Sequence, residues 1–537
     1  MKFDFSNIFL SRGVNYFNDD KTLHSIMKYL NYHDDALADM GLYISSEMIE
    51  DSMFIDHYAK PVLKTWGILD NEIEGVWISR DHNSIIERLL DMGVVSRILD
   101  KDLMFHFTSG YLISDSGLFC TLTLTGQTVY ALKKYSNNLN DFIEHYRNDH
   151  WLGATYYTEI QGGSDLGANK TVAVSNGDSF ILNGENKYFA SDAGLADGAI
   201  VTARLNNKPG VKGISVFFVP ALKPDGSPNY NIRRLKDKLG TILVPTGEVI
   251  LNNSIGYMLG NDNNGIYIAL EILEISRIDD ALAAAGIARK ALWESYLYSL
   301  ERHAFGKAII EHPLIIRDLI EMQSEVDAST VLSFIAADMF SKVTDEEPPY
   351  HDDYHMARAF THMAKNISSW ASDHVTRYAM EIFGGKGFLY DFPVEKFHRD
   401  SIVTSLWEGT SNIQALDFLE ILIKKKIDKR IISIINDIIK DLSKENADIL
   451  SSALRRSLEN LESMLSSGKT EYFAKDILNT LGHLSALAFT LLISEKTGNM
   501  ELSISGKIYY YRHFLNSFPY DFDFNSASRI LHWMKRI

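Results

Sequence analysis

Between residues 151 and 265 the spacing of apolar residues leaves the helical period and then returns to it. Before that stretch, runs such as Ile85-Ile86-Glu87-Arg88-Leu89-Leu90-Asp91-Met92-Gly93 carry helical spacing. Within it, Val172-Ala173-Val174, Phe180-Ile181-Leu182, Ala199-Ile200-Val201, Ile214-Ser215-Val216-Phe217-Phe218-Val219 and Glu248-Val249-Ile250-Leu251 are short apolar or β-branched runs. They are separated by Asn-Gly, Pro-Gly and Pro-Asp-Gly turns. After Asn263-Asn264-Gly265 long helical patterns cover about 266–301, 313–344 with Pro313 suited to a first turn, 353–383 and 411–440. From 441 the chain is again helical, with breaks near Gly468, Gly498 and Pro519. The expected fold class is α+β: an N-terminal helical domain (1–150), a β-barrel or sandwich domain (151–265), a long-helix bundle (266–440) and a helical extension (441–537). Helices over 30 residues pack in a bundle or across a subunit interface.

Composition excludes several function classes. At 537 residues and 46% hydrophobic the chain can bury a large core across two to four domains. The single Cys120 leaves no internal disulfide framework or cysteine-rich metal site, and a cytoplasmic location is expected. Met1-Lys2-Phe3-Asp4-Phe5 lacks the core of a secretory signal, and no run of about 18 apolar residues predicts a membrane span. A net charge of -17 argues against a surface built as a whole for nucleic acid. The last segment differs: from residue 421 onward 17 Lys and Arg stand against 13 Asp and Glu.

The stretch Ser405-Leu406-Trp407-Glu408-Gly409-Thr410-Ser411-Asn412-Ile413-Gln414 sets one carboxylate between an aromatic residue and a Gly-Thr-Ser run ahead of a helical pattern. Gly409 allows close approach of backbone and ligand, the hydroxyls and helix N-terminus suit a polar cofactor, and Trp407 can screen Glu408 from water. The same stretch also reads as a loop-to-helix junction with Thr410 or Ser411 as N-cap.

Other motifs join it in order: Thr158-Glu159-Ile160-Gln161-Gly162-Gly163-Ser164-Asp165, Lys187-Tyr188-Phe189-Ala190-Ser191, Glu301-Arg302-His303-Ala304-Phe305-Gly306, and Glu381-Ile382-Phe383-Gly384-Gly385-Lys386-Gly387-Phe388. Together these resemble the acyl-CoA dehydrogenase flavoprotein family. Arg234-Leu235-Lys236-Asp237-Lys238-Leu239-Gly240 and the tail of about 100 residues are most similar to its AidB-like branch. The resemblance implies FAD as cofactor, held by Thr158, Gly163, Ser164, Phe189, Ser191, Arg302, Phe305, Glu381, Gly384, Gly385, Thr410 and Asn412. It implies an acyl-CoA substrate beside Ser164, Glu274, Arg277 and Gly409, with Glu274 and Arg277 alternatively forming a surface salt bridge. No Rossmann or Walker glycine pattern competes with this reading.

Desaturating a thioester requires a base for the α-proton while hydride leaves the β-carbon, and Glu408 is the expected base. Burial by Trp407 and flavin would raise its pKa toward neutrality. Some family members place the base just before an arginine on another helix; here that position is Ser276, before Arg277, which has no carboxylate. Glu381 and Pro313 stand where the family has glutamines, and one extra residue lies between Gly184 and Lys187. The resemblance further implies an electron-transferring flavoprotein as partner and a homotetramer, or at least a homodimer. An oxidase using the same fold is a lesser alternative.

A second class of function follows from the AidB-like branch: a flavin-bearing DNA-binding or alkylation-protection protein. Its carriers would be Lys424-Lys425-Lys426-Ile427-Asp428-Lys429-Arg430, Arg455-Arg456 and Lys535-Arg536, although a run of this length scatters its charges round a helix. His351 and His355 at i, i+4 spacing flank Asp352-Asp353 without an evident third ligand, so no metal is expected.

Overall fold

The computed structural model describes residues 8–205 and 208–531; the N-terminal pentapeptide and Lys535-Arg536 lie outside them. Two compact units take alternating pieces of the chain. One holds residues to Glu50, Phe107–Ser114 and those from Arg277 onward; the other holds Asp51–His106 and Asp115–Ser276.

The second unit contains the β structure. An antiparallel hairpin, β1 (Val62–Trp66) and β2 (Glu72–Trp77), appears where only helix was expected. Its alternating residues form two short strands, and the Glu74 carboxylate accepts the backbone N–H of Ile232 at 2.6 Å, tying the hairpin to the sheet. Five- and six-residue runs are easily lost among longer helical patterns. The main sheet comprises β3 (Gly153–Tyr156), β4 (Val172–Asn176), β5 (Ser179–Ser191), β6 (Gly198–Leu205), β7 (Ile214–Pro220), β8 (Asn231–Leu235) and β9 (Thr246–Leu259). The five expected runs fall in β4, β5, β6, β7 and β9; β3 and β8 are additions.

Pairings β6–β4, β4–β5, β5–β9, β9–β7 and β7–β6 return to their starting strand, so these five strands close into a barrel. Closure removes unpaired edges and encloses Tyr156, Leu182, Val201, Phe217, Val219 and Val249. The extra residue before Lys187 is absorbed by a bulge: Gly184 pairs with Leu251 and Lys187 with Val249, three steps against two.

Inside this unit Lys187 is buried with its ammonium 3.1 Å from Glu159 Oε1, and it donates to the Thr202 carbonyl at 2.8 Å. Glu159 also accepts from the Lys170 N–H at 2.6 Å and from the Thr171 N–H and hydroxyl at 3.1 and 2.6 Å. Burial pushes Glu159 up, but the Lys187 charge and these donors outweigh it and bring its pKa down to about 2.

The first unit is a helix bundle. Expected helices match Pro313–Ser341 and Asp352–Phe383, and Gly265–Glu301 passes from the β unit into the bundle's own chain at Ser276. The pattern read as one helix over 411–440 is two, Ser411–Lys425 and Ile427–Asp441, because Lys426 adopts φ 53°. In the tail, Thr470–Thr497 has the length and hydropathy to cross a membrane, against expectation, yet 83% of its apolar window is buried within the protein. A core helix of a bundle has that composition.

Arg289 ties this unit together. Buried on the Gly265–Glu301 helix, its guanidinium meets Asp20 at 3.1 Å and Asp327 at 2.7 Å and donates to the Tyr111 hydroxyl at 3.1 Å. Asp327 also accepts from Thr22 and, on the tail helix Met500–Tyr510, from Ser505, both at 2.7 Å. Segments separated by hundreds of residues thus converge on one charge.

Two outcomes follow. Arg289→Met strands two buried carboxylates and is expected to lower stability by about 3–5 kcal/mol, read as an earlier urea midpoint of the helical signal. An unchanged midpoint contradicts the hub. Since the folded pKa of Glu159 lies below its unfolded value near 4.5, its contribution is complete above that pH and is lost as pH falls toward 2. Between pH 5 and 3 unfolding free energy should drop by about 1–2 kcal/mol more in the unaltered protein than in Glu159→Gln; parallel curves contradict this.

Candidate active site

Helix Pro393–Ile402 runs into a turn at Val403–Ser405, and the loop that follows enters helix Ser411–Lys425 with Thr410 at the N-cap position. Thr410 makes no side-chain cap bond; both it and Asn412 are exposed. Glu408 has φ 55° and Gly409 φ 97°. The left-handed region costs a non-glycine residue about 1–2 kcal/mol, so this conformation has to be held.

Side chains hold it by its carbonyls. Arg277 Nε donates to the Glu408 carbonyl at 3.2 Å, and Gln414 Nε2 donates to the same carbonyl at 2.9 Å and to that of Gly409 at 3.0 Å. The φ of 97° favours glycine at 409, and a Cβ there would also come within 2.8 Å of Gln414 Nε2 and displace it. The Trp407 indole N–H donates to Asp280. Glu408 and Trp407 are half-buried.

Behind the loop, the Asp417 carboxylate meets Arg277 at 3.4 Å, His362 Nε2 at 3.1 Å and Arg358, while His362 Nδ1 lies 2.6 Å from Gln414 Oε1. Burial pushes Asp417 up, but His362, Arg358 and Arg277 leave it far below the usual carboxylate range. Arg277 and Glu274 are both buried, which rules out the surface salt bridge, and the Arg277 guanidinium is engaged by Glu408 and Asp417. Ser276 donates its hydroxyl to the Leu273 carbonyl. Gln414, Asp417, Asp280 and Lys365 have no local signature as a site; only Gln414 falls inside the quoted motif.

In the β unit, the Thr158 carbonyl accepts the Tyr188 N–H at 2.9 Å, which sets the loop Thr158–Asp165 beside the end of β5. Gly163 and Ser164 are exposed there. Strand alternation puts Phe189, 53% exposed, and half-buried Ser191 outward, with buried Ala190 between them. Ser191 Oγ lies 3.3 Å from Thr246 Oγ1, which accepts from Lys238 at 3.1 Å. Lys236 sits 3.4 Å from the Tyr188 ring centroid and 2.9 Å from Glu248, so the Arg234–Gly240 motif supports this strand end. The neighbouring Asp192 is buried, accepts from Thr121 at 2.8 Å and is pushed up to about 7 by burial.

In the bundle unit, Arg302 is exposed ahead of a two-residue-per-strand hairpin, His303–Ala304 with Lys307–Ala308, whose turn leaves Phe305 96% exposed at φ 52°. Gly384 ends helix Asp352–Phe383 at φ 64°, and it and Gly385 face open space. Glu381 pairs with Arg377 at 3.1 Å on the exposed surface, which neutralises a charge unfavourable to a phosphate. His355 is pulled down to about 4 by burial and by Lys425 and Arg358, and among the described residues no group of three His, Cys, Asp or Glu could hold a metal.

The family pattern described as acyl-CoA dehydrogenase, middle domain, matches residues 154–254, and that for the C-terminal domain matches 263–423. The chain is 33% identical over 268 residues to the short-chain-specific acyl-CoA dehydrogenase of Clostridium acetobutylicum, covering 49% of this chain and 66% of that one. It is 33% identical over 270 residues to the AidB protein of Escherichia coli, 50% and 48% of the two chains. With subunit CarC of the caffeyl-CoA reductase-Etf complex of Acetobacterium woodii it shares 31% over 271 residues, 50% and 67%. These matches span about half to two thirds of each relative. Among solved structures, Caenorhabditis elegans ACDH-11 in complex with C11-CoA aligns with TM-score 0.81 at 21% identity over 96% of this chain and 93% of that one. Bacillus anthracis acyl-CoA dehydrogenase complexed with FAD aligns with TM-score 0.70 at 18% identity over 85% and 86%. With closed barrel, long-helix bundle and ordered motifs in agreement, the chain belongs to the acyl-CoA dehydrogenase family.

Proposed function

We propose that the protein is an FAD-dependent acyl-CoA dehydrogenase that converts an acyl-CoA thioester to its trans-2-enoyl-CoA. The observation that carries this reading is the Glu408 loop: one carboxylate on a left-handed turn whose backbone is fixed by Arg277 and Gln414. A held carboxylate suits general-base work, which needs a proton acceptor at constant distance from the α-carbon. The Glu408 N–H, on the family's pattern, donates to the thioester carbonyl and stabilises the enolate-like charge.

The exposed groups suit a flavin dinucleotide. Phe189 offers an aromatic face with the Ser191 hydroxyl beside it, Thr158 and Ser164 add polar donors, and Arg302 supplies a cation for pyrophosphate. Gly384 and Gly385 leave backbone open to close approach. When bound, FAD supplies the hydride acceptor. Ser164, Gly409, Glu274 and Arg277 are the proposed acyl-CoA contacts, and Arg277 also holds the Glu408 loop. An electron-transferring flavoprotein is the proposed onward partner, a homotetramer the proposed assembly and the cytoplasm the proposed location.

The similarity to AidB favours a second reading, a flavin-bearing DNA-binding or alkylation-protection protein. Of the cations expected to carry it, Lys424 pairs with Glu420 and Arg430 with Asp353.

Anaerobic mixing of the FAD-loaded protein with acyl-CoAs of graded chain length is expected to bleach the flavin, and Glu408→Gln to slow bleaching by about 10²–10⁴-fold. No bleaching with any acyl-CoA, together with salt-sensitive binding to duplex DNA, would replace this function with the second. Peroxide release under air matching turnover would mark an oxidase.

A further inference from the structure

Asp280 and Lys365 form a buried ion pair, Oδ2 to Nζ 3.1 Å, on helices Gly265–Glu301 and Asp352–Phe383. Asp280 is separated from Trp407 by 127 residues in the chain, yet its other oxygen accepts the indole N–H. Lys365 also donates to the Thr404 carbonyl at 2.8 Å, and the Ser369 hydroxyl donates to that same carbonyl at 2.9 Å. One pair therefore grips both the entry to the loop and the residue immediately before Glu408. Arg277, one helical turn before Asp280, grips the Glu408 carbonyl itself.

A buried ion pair adds little net stability over well-packed apolar residues, so stability alone gives a weak reason for this one. Its geometry gives a better one. Trp407 is half-buried, and the indole N–H bond to Asp280 ties its ring to the helix behind the loop, one residue before left-handed Glu408. The charged and titratable groups facing Asp280 are Lys365 from one helix and Glu408 from the loop. Burial pushes the Asp280 carboxyl up to about 7 against Lys365 and Trp407, and the Glu408 charge pushes the same way.

We propose that Asp280, with Lys365 as its counter-ion, is a positioning residue that holds the Trp407 indole and thereby sets the orientation of the Glu408 carboxylate. The catalytic half of this inference rests on Glu408 being the base; the structural half does not.

Two variants separate the grip from the fold. Trp407→Phe removes the N–H together with the five-membered ring, and Asp280→Leu combined with Lys365→Met leaves the indole whole and removes both charges together so that neither is stranded. In the full chain, hydrogen–deuterium exchange is read at the Leu406 and Trp407 amides, which donate to the Val403 carbonyl at 2.8 and 3.1 Å. Both variants should exchange there about tenfold faster while helix Pro313–Ser341 keeps its protection. With FAD and the best acyl-CoA, limiting bleaching should fall about 10–100-fold, with the half-saturating acyl-CoA concentration within about threefold. Unchanged loop exchange overturns the proposal, and so does faster exchange with an unaltered bleaching rate. If no acyl-CoA bleaches the unaltered protein, the proposed function falls, and loop exchange still decides whether the pair holds Trp407.

Discussion

The backbone at Glu408 and Gly409 sits in a region that glycine enters freely and glutamate at a cost of about 1–2 kcal/mol, and side chains of the surrounding bundle hold it there. Local sequence cannot do this, because a left-handed glutamate relaxes unless its carbonyls are claimed. Arg277 and Gln414 claim them, and both are in turn fixed: Arg277 by Asp417, Gln414 through His362. Each step hands the constraint from a surface loop to a deeper helix, ending at side chains with almost no exposure. The arrangement explains why so many charged and polar groups are buried in this unit: they are paired, and their pairing defines a conformation.

The β unit follows the same logic with different parts. Phe189, Ser191, Gly163 and Ser164 face outward, where a ligand can reach them, while Lys187, Glu159 and Asp192 lie inside and fix the strand and loop that carry them. A register shift between Lys187 and Ala190, three residues against two on the partner strand, makes the division possible, since it puts Phe189 and Ser191 on the face opposite Lys187.

Much of the architecture was legible because helical and strand periods differ and the turns carry Asn-Gly, Pro-Gly and Pro-Asp-Gly. Boundaries at Pro313 and Phe383 were readable for the same reason: proline starts a helix and glycine ends one. The β1–β2 hairpin was missed because two short alternating runs were outweighed by helical neighbours, and the break at Lys426 because a lysine in the left-handed region leaves no local signature. At the site, Glu408 and Gly409 stood out through an unusual run of residue types. Asp280, Lys365 and Asp417 did not, since their partners lie far away in sequence and an isolated Asp or Lys on a helix reads as a solvated face. Arg277 was placed at a substrate entrance on resemblance; in the structure it is buried and donates to the Glu408 carbonyl.

The central claim is that Glu408 takes a proton from the carbon next to a thioester. The most direct measurement is mass spectrometry of an α-deuterated acyl-CoA incubated anaerobically with the FAD-loaded protein in ordinary water. Loss of the α-deuterium is expected with the unaltered protein, and its retention with Glu408→Gln. Equal loss in both, or retention in both, would contradict it.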